Sequence, residues 1–278
     1  MRVNNVLVEE SFRYTEEKES FLERSEEIGD FTDIVAYCEQ INEVIQYDES
    51  VWEIEVQKGI TFADWLFNPD IEANPDDRAR IMDYINSSQC VQANEENDET
   101  ISVALGGFED AVSNRAEYIK KRRKILAGIG NVREYEAFMH SCFLNSCFAD
   151  GILTEMKYIS DFSVNAQEIT DNLSVLNDEA VELYYQYHEN LKMAIDILGT
   201  KLRACSPDAH HKKELLFPFV YDETIDGETV SRVKKVACSP HLKLIRGDSD
   251  LRIYFYWCDS QIGDGKKVLV GSIGRHGY

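Results

Sequence analysis

The spacing of apolar residues changes near residue 205, and this change limits the possible fold more than any other feature of the sequence. Before it, apolar residues recur every three or four positions, most clearly from Asp171 to Arg203, as on one face of a helix. After it, short apolar runs alternate with turn residues such as Asp226-Gly227, which is typical of β-hairpins. The sequence therefore predicts an α+β protein, with a mostly helical body containing short strands over residues 1–205 and an antiparallel β-meander over residues 206–278.

Three stretches of the predicted body have the composition of short strands. They begin at Val3, Val51 and Ile101. The third is followed by Gly106-Gly107, a pair that could belong to a phosphate-binding loop. The glycine and lysine spacings of the known phosphate loops are missing, however, so we interpret this pair as a plain turn.

The charge of the chain is unevenly distributed. Residues 1–205 contain 41 acidic and 18 basic residues, a net charge of −23, whereas residues 206–278 contain 10 acidic and 11 basic residues, a net charge of +1. Because a negative field repels phosphates, we expect any RNA-binding site in the C-terminal segment. The acidic body is expected to bind a protein partner, or simply to present a solvated surface. A dense basic run, Lys120–Lys124, either contacts an anionic partner or pairs with nearby carboxylates.

The sequence lacks the features of membrane, secreted and metal-binding proteins. Its apolar runs are far shorter than the roughly 20 residues that cross a bilayer. The N-terminus has no secretory apolar segment. The seven cysteines are scattered without a Cys-x-x-Cys pair, which favours free thiols in a reducing compartment. We expect a cytoplasmic protein with no membrane partner, no metal site and no cofactor.

Basic and aromatic residues concentrate in the last forty positions. Alternation over Leu251–Trp257 places Arg252, Tyr254 and Tyr256 on one face, expected to be open, and the apolar residues on the other face, packed on helices. If Gly263–Gly265 forms a hairpin, the neighbouring strands supply further polar groups. These are Arg275, His276 and Tyr278 from the strand after it, and Lys243 and Arg246 from the strand before it.

These residue types match what RNA cleavage without a metal requires. A base must take the proton of a ribose 2′-hydroxyl, cations must stabilise the phosphate as negative charge develops, and an acid must protonate the departing 5′-oxygen. An aromatic ring can also stack on an unpaired base.

The end of the chain resembles the last strands of the RelE/ParE toxin superfamily. The resembling segments, within about the last forty residues, are Leu242–Leu244, Asp250–Trp257 and Val268–Tyr278. The resemblance implies a metal-independent ribonuclease of a toxin-antitoxin or antiphage system. It implies catalytic roles for Arg252 as a phosphate-binding arginine, Arg275 as the arginine of the last strand, His276 as general acid or base, and Tyr278 as the terminal aromatic. Lys243, Arg246 and Tyr254 would then bind the RNA.

Other interpretations of the same sequence remain open. In one, Arg252 and Arg275 pair with Asp248, Asp250 or the acidic body, and the end of the chain only completes a sheet. In another, the protein is a non-catalytic interaction protein of a bacterial or phage defence system, whose acidic surface binds a basic partner or mimics nucleic acid. An enzyme that acts on small molecules is disfavoured, since no motif for one is present.

Overall fold

The chain folds as two compact units, according to its computed structural model. The residues described are 2–15, 20–90, 99–202, 205–206, 215–225, 227–244 and 250–275. The N-terminal unit is Met1–Arg122 and the C-terminal unit is Arg123–Tyr278. The sequence placed a division near residue 205, whereas the helices from Val132 onward and the strands after residue 205 belong to one unit in the structure.

The N-terminal unit alternates short strands with helices. Its elements are β1 Val3–Leu7, α1 Ser25–Gln40, β2 Ile45–Tyr47, β3 Glu55–Gln57, β4 Ile60–Thr61, α2 Phe62–Phe67, α3 Pro75–Ser87, β5 Gln89–Cys90, β6 Glu99–Val103 and α4 Arg115–Gly128, within which the division between the units falls; short 3-10 helices span Glu9–Phe12 and Glu49–Glu53.

The sheet of the N-terminal unit is parallel, which the sequence did not predict. Its strand order is β5-β2-β1-β6, and Asn5 of β1 is level with Ile45 of β2 and with Ile101 of β6. Strands β3 and β4 form a separate antiparallel pair. Since the four strands of the sheet run the same way, the loops that follow β1, β2 and β6 meet at one edge.

The core of the N-terminal unit is rich in aromatic rings that meet edge to face. Phe12 contacts Phe21, Phe31 and Phe62 at centroid distances of 5.3, 5.8 and 5.3 Å. Trp65 packs on Phe21 at 5.0 Å, and all five rings are fully buried. Such ring pairs stabilise the fold by more free energy than the burial of their apolar area alone would contribute.

The C-terminal unit begins with helices and ends with strands. Its elements after α4 are α5 Val132–Met139, β7 Ser146–Phe148, α6 Ile152–Met156, α7 Phe162–Gln186, α8 Leu191–Lys201, β8 Cys205–Ser206, β9 Leu216–Ile225, β10 Glu228–Ala237, β11 His241–Lys243, β12 Leu251–Tyr256 and β13 Val268–Arg275, with a 3-10 helix at Gly263–Gly265.

The longest predicted helix is divided into two. Helix α7 ends at Gln186, and α8 starts after Asn190, whose side-chain oxygen accepts a hydrogen bond from the Met193 backbone N–H. This is the N-cap geometry that asparagine favours. Most of the predicted apolar stripe is buried, including Leu173, Leu176, Ala180, Ala194 and Leu198, whereas Leu191 is 39% exposed.

The last strands form the predicted antiparallel meander, with two differences. The sheet order is β7-β13-β12-β11-β8, in which β8, β11, β12 and β13 pair antiparallel but β7 joins β13 in parallel. Strands β9 and β10 do not belong to this sheet and form a two-stranded ribbon of their own. The α+β class is confirmed. None of the helices in the described residues is both long and apolar enough to cross a membrane.

Candidate functional site

Four polar or aromatic side chains lie on one face of β11 and β12. Lys243 is directly opposite Arg252, and His241 is directly opposite Tyr254. Residues opposite each other in antiparallel strands project from the same face, with Cβ atoms about 5 Å apart. Register therefore brings together three of the predicted residues and adds an imidazole.

Arg252 is half-buried at the edge of this group, and the structure corrects the expectation of an open face. Its Nη1 donates a hydrogen bond to the Leu251 carbonyl at 2.8 Å. The residue opposite Arg252 on β13 is Gly274. A Cβ at Gly274 would lie 3.1 Å from the Glu155 carbonyl oxygen, so α6 packs directly over this position. The face that carries Arg252 is therefore partly covered, and only part of the guanidinium remains accessible.

Tyr254 is 1% exposed and its ring contacts two other rings. Its ring stacks on Phe217 at 6.4 Å and lies 5.3 Å from the ring of His241. Burial raises the pKa of the Tyr254 phenol, and the positive charge of Arg252 partly offsets that rise. The phenol therefore stays protonated at neutral pH. Since the residue is almost fully buried, its ring cannot stack on an RNA base as the sequence suggested.

His241 is the residue that the sequence analysis missed. Its Nδ1 lies 3.4 Å from the Ser239 carbonyl oxygen, and the side chain is buried. With its proton on Nδ1, the ring donates to that carbonyl. The alternation in Ser239-Pro-His-Leu-Lys243 could have identified it, because positions 241 and 243 share a face.

Arg275 lies near Arg252 along the sheet but on its other face. The predicted antiparallel pairing of β12 and β13 is present, with Arg275 opposite Leu251. Since opposite residues share a face, Arg275 projects with Leu251 and away from Arg252. Its side chain is exposed at the end of β13. The other predicted site residues, Arg246, His276 and Tyr278, lie outside the described residues.

The N-terminal unit contains a second candidate location for a ligand. Open parallel sheets bind ligands where the order of their strands reverses, and in this sheet that point lies between β1 and β6. There Arg24 is 5% exposed. It donates to the Ser11 carbonyl at 3.1 Å, to the Leu105 carbonyl at 2.9 Å and to the Glu27 carboxylate at 2.6 Å. The crevice is thus filled by an ion pair of the chain itself, which ties the loop after β1 to the loop after β6.

Gly106 of the Gly106-Gly107 pair packs against the same ion pair. Its φ is +70°, and a Cβ there would lie 2.6 Å from the carboxyl carbon of Glu27. The glycine is needed for this backbone conformation and for this close approach. A phosphate would first have to displace Glu27, so the geometry agrees with a plain turn.

Two of the five cations in the basic run Lys120–Lys124 form ion pairs with carboxylates of the same chain. Arg122 is fully buried and donates to both carboxylate oxygens of Glu43, at 2.6 and 2.8 Å. Arg123 does the same to Asp178, at 2.6 and 2.7 Å. The three lysines of the run are exposed. Internal pairing thus accounts for both arginines of this run.

In the part of the chain that the structure describes, no group of three or more His, Cys, Asp or Glu side chains is arranged to hold a metal ion.

Comparison of the chain with family models, with curated proteins and with solved structures gave no match. The assignment of a function therefore depends on the residues and their geometry.

Proposed function

We propose that the C-terminal unit is a metal-independent endoribonuclease, the effector of a toxin-antitoxin or antiphage system that acts in the cytoplasm. The observation that carries the proposal is the pairing of Lys243 with Arg252 and of His241 with Tyr254 on one face. This pairing gathers two cations, an imidazole and a phenol within two residue positions of each other on adjacent strands.

In this proposal, the 2′-oxygen of a ribose forms a bond to phosphorus while the bond to the 5′-oxygen breaks. The products are a 2′,3′-cyclic phosphate and a 5′-hydroxyl. Lys243 and Arg252 stabilise the negative charge that builds on the phosphate oxygens, which is commonly the largest contribution to such a rate. A histidine accepts the 2′ proton, and the departing 5′-oxygen takes up a proton from solvent to leave as the 5′-hydroxyl. His276 is that histidine in the resemblance, whereas His241 lies opposite Tyr254 and is buried.

The remaining predicted residues belong to the proposal only through the resemblance, and Arg275 projects from the opposite face of the sheet to Arg252. Arg275 and Tyr278 are the further catalytic residues that the resemblance implies, and Arg246 is a further cation for RNA binding. Tyr254 has a supporting role, since its buried ring backs both His241 and the strand that carries Arg252.

The first test is the loss of RNA cleavage in Arg252→Ala. We expect at least about a hundredfold loss, typical of removing one group that stabilises a transition-state charge, with little change in melting temperature. A chelator should leave the wild-type rate unchanged. Arg232→Ala is the matched control, because Arg232 is an exposed arginine of the same unit that pairs with Glu223. Cleavage by Arg252→Ala at the wild-type rate, or an equal loss in Arg232→Ala, would contradict the proposal.

A second candidate function has one specific observation in its favour. The N-terminal unit contains 29 acidic and 11 basic residues, a net charge of −18, whereas the C-terminal unit contains 22 and 18, a net charge of −4. So concentrated a charge supports a non-catalytic interaction protein whose N-terminal unit binds a basic protein or mimics nucleic acid. Growth inhibition that survives Arg252→Ala but is lost in Glu53→Lys would favour this second function.

A further inference from the structure

An exposed aromatic surface lies beyond the carboxyl end of β2 in the N-terminal unit. It consists of Tyr47, Trp52 and Phe67. The ring of Trp52 lies 5.9 Å from that of Tyr47 and 5.9 Å from that of Phe67. Phe67 is 58% exposed, and the other two rings are half-buried. An aromatic cluster of this kind on a surface marks a site of interaction more often than a single exposed apolar residue does.

The aromatic surface is held in place by the core beneath it. Trp52 stacks on the fully buried Phe62 at 5.4 Å with an interplanar angle of 26°. The two short helices that carry the surface are capped: Asp48 accepts from the Ser50 backbone N–H, and Thr61 accepts from the Asp64 backbone N–H. Rings that are already ordered lose little entropy when a partner binds, so contacts to them contribute more net affinity.

The charge around the aromatic surface is strongly negative. Residues 44–72 contain seven acidic residues and a single cation, Lys58. Asp48 and Glu53 flank Trp52 in sequence, Asp64 and Asp70 flank Phe67, and all four are exposed. This field repels nucleic acid and attracts a basic segment.

We propose that the aromatic surface binds an arginine-bearing basic segment of a partner protein. Arginine fits better than lysine, because its planar guanidinium stacks on tryptophan and phenylalanine faces while its remaining N–H groups donate to nearby carboxylates. The inference rests on the second candidate function and names its binding surface. It does not depend on RNA cleavage by the C-terminal unit.

The position of the surface in the fold also favours binding there. Ligands of open parallel sheets bind beyond the carboxyl ends of the strands. The crevice between β1 and β6 is filled by Arg24 and Glu27, whereas the neighbouring loop after β2 presents Trp52 at the same edge.

The test uses the full chain and two fluorescent peptides, one of alternating arginine and glycine, the other of alternating lysine and glycine. Binding is measured by fluorescence anisotropy at physiological salt. Wild type should bind the arginine peptide more tightly than the lysine peptide. Phe67→Ser should weaken binding of the arginine peptide about five- to tenfold, the range expected for loss of a cation–π contact beside carboxylates. Val164→Ser is the control, since Val164 is 59% exposed and belongs to the C-terminal unit.

Equal binding of the arginine peptide by Phe67→Ser and by wild type would overturn the inference, as would an equal loss in Val164→Ser. Equal affinity of wild type for the two peptides would also overturn it, because binding would then be set by charge alone. RNA cleavage is measured on the same Phe67→Ser protein and should be unchanged. A failure of this inference is thereby separated from a failure of the ribonuclease proposal.

Discussion

Glycines of β13 decide what can pack on the last sheet. The pairing of β12 with β13 shifts register next to Gly271. Because this residue has no side chain, the Phe217 ring and the Cys238 thiol pack directly against its backbone. A Cβ there would lie 2.8 Å from the Cys238 sulfur. At Gly274, the absent side chain admits α6 beside Arg252. These two positions determine how far the face of Arg252 is covered.

Gly271→Ala should therefore destabilise the protein. The added methyl group displaces Phe217 and Cys238 in a filled core, and overpacking of this kind costs about 1–3 kcal/mol. The free energy of unfolding from urea titration measures the effect. Gly128→Ala is the control, because a Cβ at that helical glycine meets nothing within 4 Å. Equal free energies of unfolding for the two variants would contradict the close packing of Phe217 and Cys238 on Gly271.

Sequence reasoning identified Lys243 and Arg252 but not how they are covered. Alternation in β12 gives the face on which Arg252 lies, because that depends on neighbouring residues alone. The burial of Tyr254 depends on Phe217, which belongs to a different strand pair and lies 37 positions away. His241 was not predicted, because its place opposite Tyr254 depends on the register of β11 against β12.

Among the elements, helices were predicted better than sheets. The buried stripe of α7 follows from spacing within one segment. The parallel sheet cannot be predicted from spacing within one segment, because β1 pairs with β6, which lies nearly the whole N-terminal unit away in the sequence. The stretch from Val51 was predicted as a strand and begins as a 3-10 helix over Glu49–Glu53. Val51 and Ile54, three residues apart, are both buried, which matches the three-residue turn of that helix.

The link between α4 and α7 gives a prediction about pH. Burial alone would raise the pKa of the Asp178 carboxyl, but hydrogen bonds from Arg123 and Asn177 and the charge of Arg123 lower it overall. A carboxyl with a lowered folded-state pKa stabilises the protein above the ordinary pKa, near pH 4, and loses that stabilisation as pH falls further.

Asp178→Asn should be slightly less stable than wild type at pH 7, by up to about 1 kcal/mol, because the carboxylate is half-exposed. Below about pH 4 the two proteins should converge. Thermal melts from pH 7 to pH 3 measure this, with Glu182→Gln, an exposed site on the same helix, as control. A difference that stays constant over the whole range would rule out the ionised pair as its cause.

Across the whole molecule, most of the net negative charge belongs to the N-terminal unit. The N-terminal unit combines a parallel sheet, a filled crevice and nearly all of the net negative charge, whereas the C-terminal unit is close to neutral and carries the paired cations of β11 and β12. The change of charge near residue 205 is real, but the compact units divide at Arg122, and composition does not reveal that β7 pairs with β13. The proposed activities follow this division.

The most direct test of the ribonuclease proposal is the chemistry of the cut. The full chain is incubated, in the presence of a chelator, with an RNA and with the same RNA carrying 2′-deoxyribose at the mapped cleavage position. The proposal predicts that the RNA is cut to a 2′,3′-cyclic phosphate and a 5′-hydroxyl, that the deoxy substrate is not cut at that position, and that Arg252→Ala cuts neither. Cleavage of the deoxy substrate there, products with a 3′-hydroxyl, or no cleavage by the wild type would contradict it.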